Sequence, residues 1–529
     1  MRSFQISIKY TRFAIVCLVA LCVLPASHGG ESQSAGEAAR KVQHLLQQGD
    51  LAAARSVLTD ALTEFPREAS LYNLQGVIEA QQGNYADAQA SFRKAIEEAP
   101  HYTGAFLNLG RLYQENAFKD PVAAQKALET YQRLLRFEPD NVEANYQAAV
   151  LLLQRGSYQA SLDRLAHLPT ADQDHPQAMA MRCGDYAGLG QQARASSTAN
   201  RLLQSPGLTE PDIHLILPVL AAHQQAGIAV RLLEGIETRN PASYESLHAL
   251  GLLYQQQGRF ASARATLEKA AQLKPDSAPL LMELARVAYD QKDYTGALGY
   301  LAHARDLSPQ NAAIHFFWGI ICVRQNLAEE AYRALKRAAS LDPEHPSYNY
   351  AVGVVAMQRE NASEAVPYLQ KFCALRPKDP LGPLALGAAY LNSHDLEKAR
   401  DMMVQAAGQP QTAADANYYL GRIAYEEGDY TTALRYLQAA LKYNPNHADA
   451  YAEVGLILLK QRQYQEAKEA LQKALQLNPD SYTANLNLTV LYQKMKDPRA
   501  DAQAKHFDEI KDQRAERAKE FLRRIEVRP

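Results

Sequence analysis

The chain has 529 residues, of which 47% are hydrophobic and 22% charged, with a formal net charge of −2. That mix belongs to a core-forming globular protein and excludes disordered and fibrous classes. Lys and Arg are spread along the chain, so the basic footprint of a nucleic-acid binder is missing.

The first element is the segment 1–29. It carries Arg2, Lys9 and Arg12, then an apolar run from Phe13 to about Ala26, then small residues, the order of a secretory signal peptide. The run falls short of the roughly 20 residues that a spanning helix needs. An uncleaved anchor is the alternative. The chain is therefore expected to be exported, to the periplasm first of all, with an extracellular or membrane-anchored place still open. Any membrane association is expected through an uncleaved signal or a partner. Cys17 and Cys22 lie in this segment, and the remaining Cys183, Cys322 and Cys373 are too few and too odd in number for a disulfide framework. They read as small buried hydrophobes.

From residue 35 the chain repeats itself. Pro stands at 241, 275, 309, 343, 377, 445 and 479 in one 34-residue register, with Pro410 one residue early and Pro66 and Pro100 extending the phase backwards. About thirteen units fit before residue 481. With this Pro as the thirty-second residue of a unit, the eighth is small (Gly76, Gly110, Gly319, Gly353, Gly421, Gly455). The twentieth is Ala (Ala263, Ala297, Ala331, Ala433, Ala467) and the twenty-seventh often Ala (Ala270, Ala304, Ala338, Ala474). Apolar residues at helical spacing, such as Leu247, Leu250 and Tyr254 and then Phe260, Ala263 and Leu267, make each unit two amphipathic helices. Gly49, Gly83, Gly156, Gly258 and Gly428 mark the turn between them.

In chain order this gives an N-terminal repeat segment at 35–206, whose third unit is lengthened near 115–121, with Asp120 and Pro121 as cap and first residue of the resumed helix. The signature decays from about 170, which gives this segment a degenerate end, and 207–243 is a degenerate repeat. Cys183 and Leu217 stand where small residues belong, and Pro218 falls inside a helix, which predicts a kink or hinge. A regular array follows at 244–495, and 496–529 is a charged C-terminal helix. It is read as a cap over the last interface, with a partner-binding or coiled-coil helix as the alternative.

The register and its signature resemble the tetratricopeptide repeat over about nine-tenths of the chain beyond the signal segment. The resemblance implies an all-α α-solenoid, a right-handed superhelix in which the first helices line a concave groove. It also implies that the fifth, ninth and twelfth residues of the first helix face that groove. These are Phe316, Ile320 and Val323; Tyr350, Val354 and Met357; Leu384, Ala388 and Leu391; Tyr418, Arg422 and Tyr425; and Ala452, Leu456 and Leu459. The stripe is apolar and partly aromatic, whereas Asn73, Val77, Ala80, Leu107, Arg111 and Gln114 give the N-terminal segment a mixed one. Such a strip marks an interaction site or packs against the adjoining helix as core. Neither an Asn ladder at the sixth residue nor a Lys, Asn and Arg clamp for a terminal carboxylate is present.

Motifs of catalytic spacing are missing as well: no HExxH, GxSxG, glycine-rich phosphate loop or paired CxxC. No catalytic residue, cofactor or metal is expected. The expected function is an exported, non-enzymatic scaffold or adaptor that binds protein or peptide segments along the groove, without nucleic acid. The alternative is a structural part of a cell-envelope assembly or polysaccharide-export complex.

Overall fold

The structure is a computed structural model that describes residues 33–116, 121–239, 241–359 and 361–511. The signal segment, most of the lengthened turn and the end of the tail lie outside the described residues. Twenty-eight helices, α1 (Gln33–Gln47) to α28 (Tyr482–Met495), follow one another. A further helix, α29, runs over 500–511, and no strand occurs among the described residues. The chain divides into two compact units, Met1–Gln257 and Gly258–Pro529.

One hairpin shows how sequence builds the unit. Ser277 caps α16 (Ala278–Asp290), its hydroxyl accepting the Leu280 N–H at 3.4 Å, and Pro279 sits in the first turn, where its missing N–H costs nothing. Asp293 caps α17 (Tyr294–Leu307) by accepting the Gly296 N–H at 2.9 Å. That helix stops at Ser308, just before Pro309. Its inner face is Ala297, Leu301 and Ala304, all fully buried. The same three places hold Ala263, Leu267 and Ala270 in α15 (Phe260–Leu273), and Ala467, Leu471 and Ala474 in α27 (Tyr464–Leu477), again with no exposure.

The small eighth residue has a specific partner. A Cβ on Gly319, Gly353 or Gly455 would lie 2.5 Å from the Cγ of Leu335, Leu369 or Leu471, the twenty-fourth residue of the same unit. In the first unit the same pairing joins Gly76 to Phe92 at 2.6 Å and Gly110 to Tyr131 at 2.5 Å. The two helices of a hairpin approach until the large side chain of the second rests on the bare backbone of the first.

The turn between them holds a left-handed residue at the fifteenth place whether or not glycine occupies it. Gly258 and Gly428 have φ of 71° and 83°, and Lys292, Asn326, His394 and Arg462 have 61°, 56°, 59° and 62°. For a residue with a Cβ that conformation costs roughly 1–2 kcal/mol, which the packing of the hairpin offsets.

In the degenerate region α12 (Glu210–Ala222) continues through Pro218. It starts from a capping box in which the Thr209 N–H donates to Asp212 Oδ2 at 2.9 Å. α6 begins at Pro121. Cys183 and Cys322 are buried and Cys373 half-buried, none in a disulfide, and burial pushes the Cys183 thiol up to about 12. At the C-terminal end α29 packs on α28. Phe507 lies 5.1 Å from Tyr482, Gln503 donates to Asn485 Oδ1 at 2.9 Å, and Ile510 is buried.

Candidate functional site

The first helices of successive units lie side by side: α18 (Ala312–Arg324), α20 (Pro346–Gln358), α22 (Leu381–Asn392), α24 (Ala413–Glu426) and α26 (Ala448–Lys460). Phe316 lies 4.8 Å from Tyr348 of α20, and the Tyr350 ring 4.9 Å from Phe372 of α21 (Ala362–Leu375). Phe316, Ile320, Tyr350, Val354, Met357 and Leu384 are all half-buried: one side rests on the core and the other is open. Burial raises the Tyr350 phenol above its ordinary value, with Asp379 adding to it.

Not every residue of the expected stripe is available. Leu391 is only 2% exposed, Ala452 1% and Leu459 6%, so they belong to the core and leave a ligand no surface to touch. Leu391 and Leu459, at the twelfth place, and Ala452, at the fifth, turn inward, whereas the twelfth-place Val323, Met357 and Tyr425 stay half-buried. Sequence spacing alone does not separate the buried places from the open ones.

At α24 the stripe changes character. Tyr418 packs at a tilt against Tyr419, 5.2 Å away, and against His447, 4.9 Å away, and burial drives the Tyr418 phenol far up, with Arg422 opposing and Glu453 and Asp449 adding. Arg422 reaches Glu426 only at 3.9 Å. Tyr425 lies 5.8 Å from Tyr430 and under the Lys460 ammonium, 4.9 Å from the ring centroid. Glu453, half-buried on α26, has its carboxyl raised first by burial and then by Asp449 and Glu426, while Arg422 pulls it back. His447 caps α26, its Nδ1 accepting the Ala450 N–H at 3.3 Å, and its Nε2 lies 3.4 Å from Asp415 Oδ1.

The corresponding places of the first unit are differently used. Arg111 Nε donates to Glu143 at 2.6 Å, Gln114 to Gln147 at 3.0 Å, and Asn108 to Asn73 at 3.0 Å, each bond joining one first helix to the next. These bonds pair polar groups from helix to helix, with the buried Asn73 Nδ2 left over. Among the described residues, the apolar stripe of the second unit has no such row of cross-helix bonds.

Three family models described as tetratricopeptide repeat match the chain: one at 40–103, 248–312 and 384–434, a second at 420–488 and a third at 117–182 and 288–353. Together these segments take in more than half of it. The chain belongs to the tetratricopeptide repeat proteins. Solved structures similar to this repeat array include the APC/C hetero-tetramer Cut9-Hcn1, at 17% identity over 86% of this chain and 90% of that one, with a TM-score of 0.36. YrrB, described as a TPR protein with an unusual peptide-binding site, matches at 21% identity over 41% and 95%, TM-score 0.28. The pilF protein of Pseudomonas aeruginosa matches at 25% over 38% and 92%, TM-score 0.33. No curated protein matches the chain. The tetratricopeptide repeats make it a protein–protein interaction scaffold.

Proposed function

We propose that this tetratricopeptide repeat protein is an exported, non-enzymatic adaptor that binds protein segments along the first helices of its second unit. The observation that carries the reading is the row of half-buried apolar and aromatic side chains from Phe316 through Tyr350 and Val354 to Leu384, where the first unit instead uses polar side chains bonded from helix to helix. A contiguous apolar strip left partly open is stabilised by a partner that covers it. Aromatic anchors such as Phe316 and Tyr350 gain most when a partner removes the remaining water. The adaptor acts by binding, in keeping with its repeat family, and its occupant is a protein or peptide segment. Export rests on the basic, apolar and small-residue order of residues 1–29.

The test replaces Tyr350 by a photoreactive aromatic residue and, as control, Val404, 54% exposed on the second helix α23 (Leu396–Ala407). Cells are irradiated intact and fractionated. Adducts at Tyr350 and not at Val404, recovered outside the cytoplasm, are the expected result. Adducts at Val404 alone move the working surface to the second helices, and recovery in the cytoplasm refutes export. A single stoichiometric membrane partner at Tyr350 replaces the adaptor by a structural part of an envelope assembly.

A further inference from the structure

The tenth place of a repeat lies in the core and in most repeats holds a buried aliphatic residue, as with Ile78, Leu151, Val219, Val287, Ile321 and Ile457. In α10 (Pro176–Gly188) that place is Asp185, fully buried, with neither carboxyl oxygen hydrogen-bonded among the described residues. The twentieth place of the preceding repeat, Ala in most others, is Ser161 of α8 (Tyr158–Ala166). Ser161 stands beside the carboxyl, but its hydroxyl donates to the Ala149 carbonyl at 3.1 Å. Two polar residues thus meet where the register otherwise places apolar ones, and their pairing is incomplete.

The surroundings leave no room to repair this. α10 is wedged between α7 (Val142–Gln154) and α12: a Cβ on Gly184 would lie 3.0 Å from Ile216 and 3.2 Å from Leu153. Hydrating the carboxyl therefore means moving a helix. The titratable groups on the helices packed around α10 are engaged elsewhere. Tyr158 of α8 comes near the carboxyl, but its hydroxyl bonds His223 Nε2 at 2.9 Å, just beyond α12. Arg182 donates to Gln173 of α9 (Thr170–Gln173) at 2.6 Å, and Arg194 of α11 (Gln192–Gln204) lies over the Tyr186 ring. Asp212 of α12 accepts from Thr209, His214 of α12 bonds Ser246 at 2.8 Å, and Glu143 of α7 takes Arg111. Burial accordingly raises the Asp185 carboxyl from 3.8 to about 8, with Ser161 opposing. The packing suits the neutral acid and not the anion.

We infer that the hairpin of α10 and α11 is a pH-sensitive joint in the first unit: when Asp185 loses its proton, α10 leaves its place between α7 and α12 while the hairpins on either side stay folded. In the opened hairpin the carboxyl meets water and has its ordinary acidity, whereas the closed one holds the proton. The opened fraction therefore rises about ten-fold per pH unit above about pH 4 and levels off above about 8. Stability in a repeat array is close to a sum of hairpin and neighbour terms, so a cost placed on one hairpin loosens that hairpin first. The flanking hairpins are also joined directly. The Tyr158–His223 contact crosses α10 at Gly188, where a Cβ would lie 2.4 Å from the Tyr158 ring. This inference is independent of the groove reading, which concerns the second unit.

The test uses the full chain. Cys183, on α10 and without exposure, reacts with iodoacetamide only when the helix opens, and Cys322, 1% exposed in the second unit, is the internal control. Mass spectrometry of tryptic peptides reads both labelling rates at pH 6 and pH 7. Wild type and Asp185→Asn are compared at the same pH, so the ionisation of the thiol itself cancels. The wild-type-to-variant ratio for Cys183 is expected to rise about ten-fold between the two buffers, and the ratio for Cys322 to stay constant. Protection from hydrogen exchange, corrected for the intrinsic pH dependence, is read in the same buffers. It is expected to fall in α10 and α11 of the wild type and to hold in α7, α8, α12 and α13 (Ala226–Glu237). Circular dichroism confirms the fold of the variant, and Asp185→Val, an aliphatic residue as elsewhere at this place, repeats both comparisons if the amide does not fold. A Cys183 ratio that ignores pH overturns the inference. Protection lost evenly over the first unit overturns it as well, because the unit then opens as a whole.

Discussion

Gly353 has no room for a methyl group, because the Leu369 side chain already occupies the space where a Cβ would go, with Cγ at 2.5 Å. Overpacking of this kind costs about 1–3 kcal/mol, more than the roughly 1 kcal/mol that Ala gains over Gly in a helix. Gly353→Ala is therefore expected to lower the urea midpoint. Gly299, in the interior of α17 with nothing within 4 Å of its would-be Cβ, is the converse. Gly299→Ala is expected to stabilise by about 0.5–1 kcal/mol, and opposite shifts in the two midpoints check the packing account. The place of these glycines was legible because the register repeats them, but the large residue each one admits was not. Leu335 and Leu369 look like any other apolar helix residues until the hairpin is seen closed. Nor were the left-handed Lys292 and Arg462 legible, since nothing in their side chains asks for positive φ and the geometry of the hairpin imposes it.

At the scale of the element, α10 (Pro176–Gly188) carries the least comfortable group of the first unit. Asp185 is fully buried and neither carboxyl oxygen has a hydrogen-bond partner. The nearby Ser161 hydroxyl donates instead to the Ala149 carbonyl at 3.1 Å. Burial raises the carboxyl from 3.8 to about 8. Because the folded state holds this proton more tightly than the unfolded chain, the contribution to stability is complete below about pH 4. It is lost as pH rises towards about 8, at roughly 1.4 kcal/mol per unit between those limits. Asp185→Asn is expected to flatten the fall of the urea midpoint between mildly acidic and mildly alkaline buffer. An unchanged slope would show that the carboxyl has a partner in solution. This site was not legible in the sequence, where the decay of the repeat signature around Cys183 points instead to a kink or hinge at Pro218. α12 spans that proline. The stripe itself was legible as a pattern of fifth, ninth and twelfth residues. The inward turn of Leu391 and Leu459 was not, because burial at the twelfth place depends on the neighbouring helix rather than on spacing.

At the scale of the molecule, stability in such an array is close to a sum of hairpin and neighbour terms, so an end is only as firm as what covers it. α29 covers α28 through Phe507, Gln503 and Ile510. Deleting residues 498–529 is expected to quicken amide hydrogen exchange in α27 and α28 and to leave α16 and α17 as they are. Faster exchange spread evenly over the second unit would mean that it unfolds as one body. The glycine contact described first bears on how the chain is made. Gly353 and Leu369 belong to the same unit, so the lock of each hairpin closes within a short stretch of chain and waits for no distant segment. A polypeptide built this way has low contact order and can order itself progressively from its N-terminus as it emerges, each finished hairpin offering a template face to the next. Its gene can also gain or lose whole units without any lock having to be redesigned.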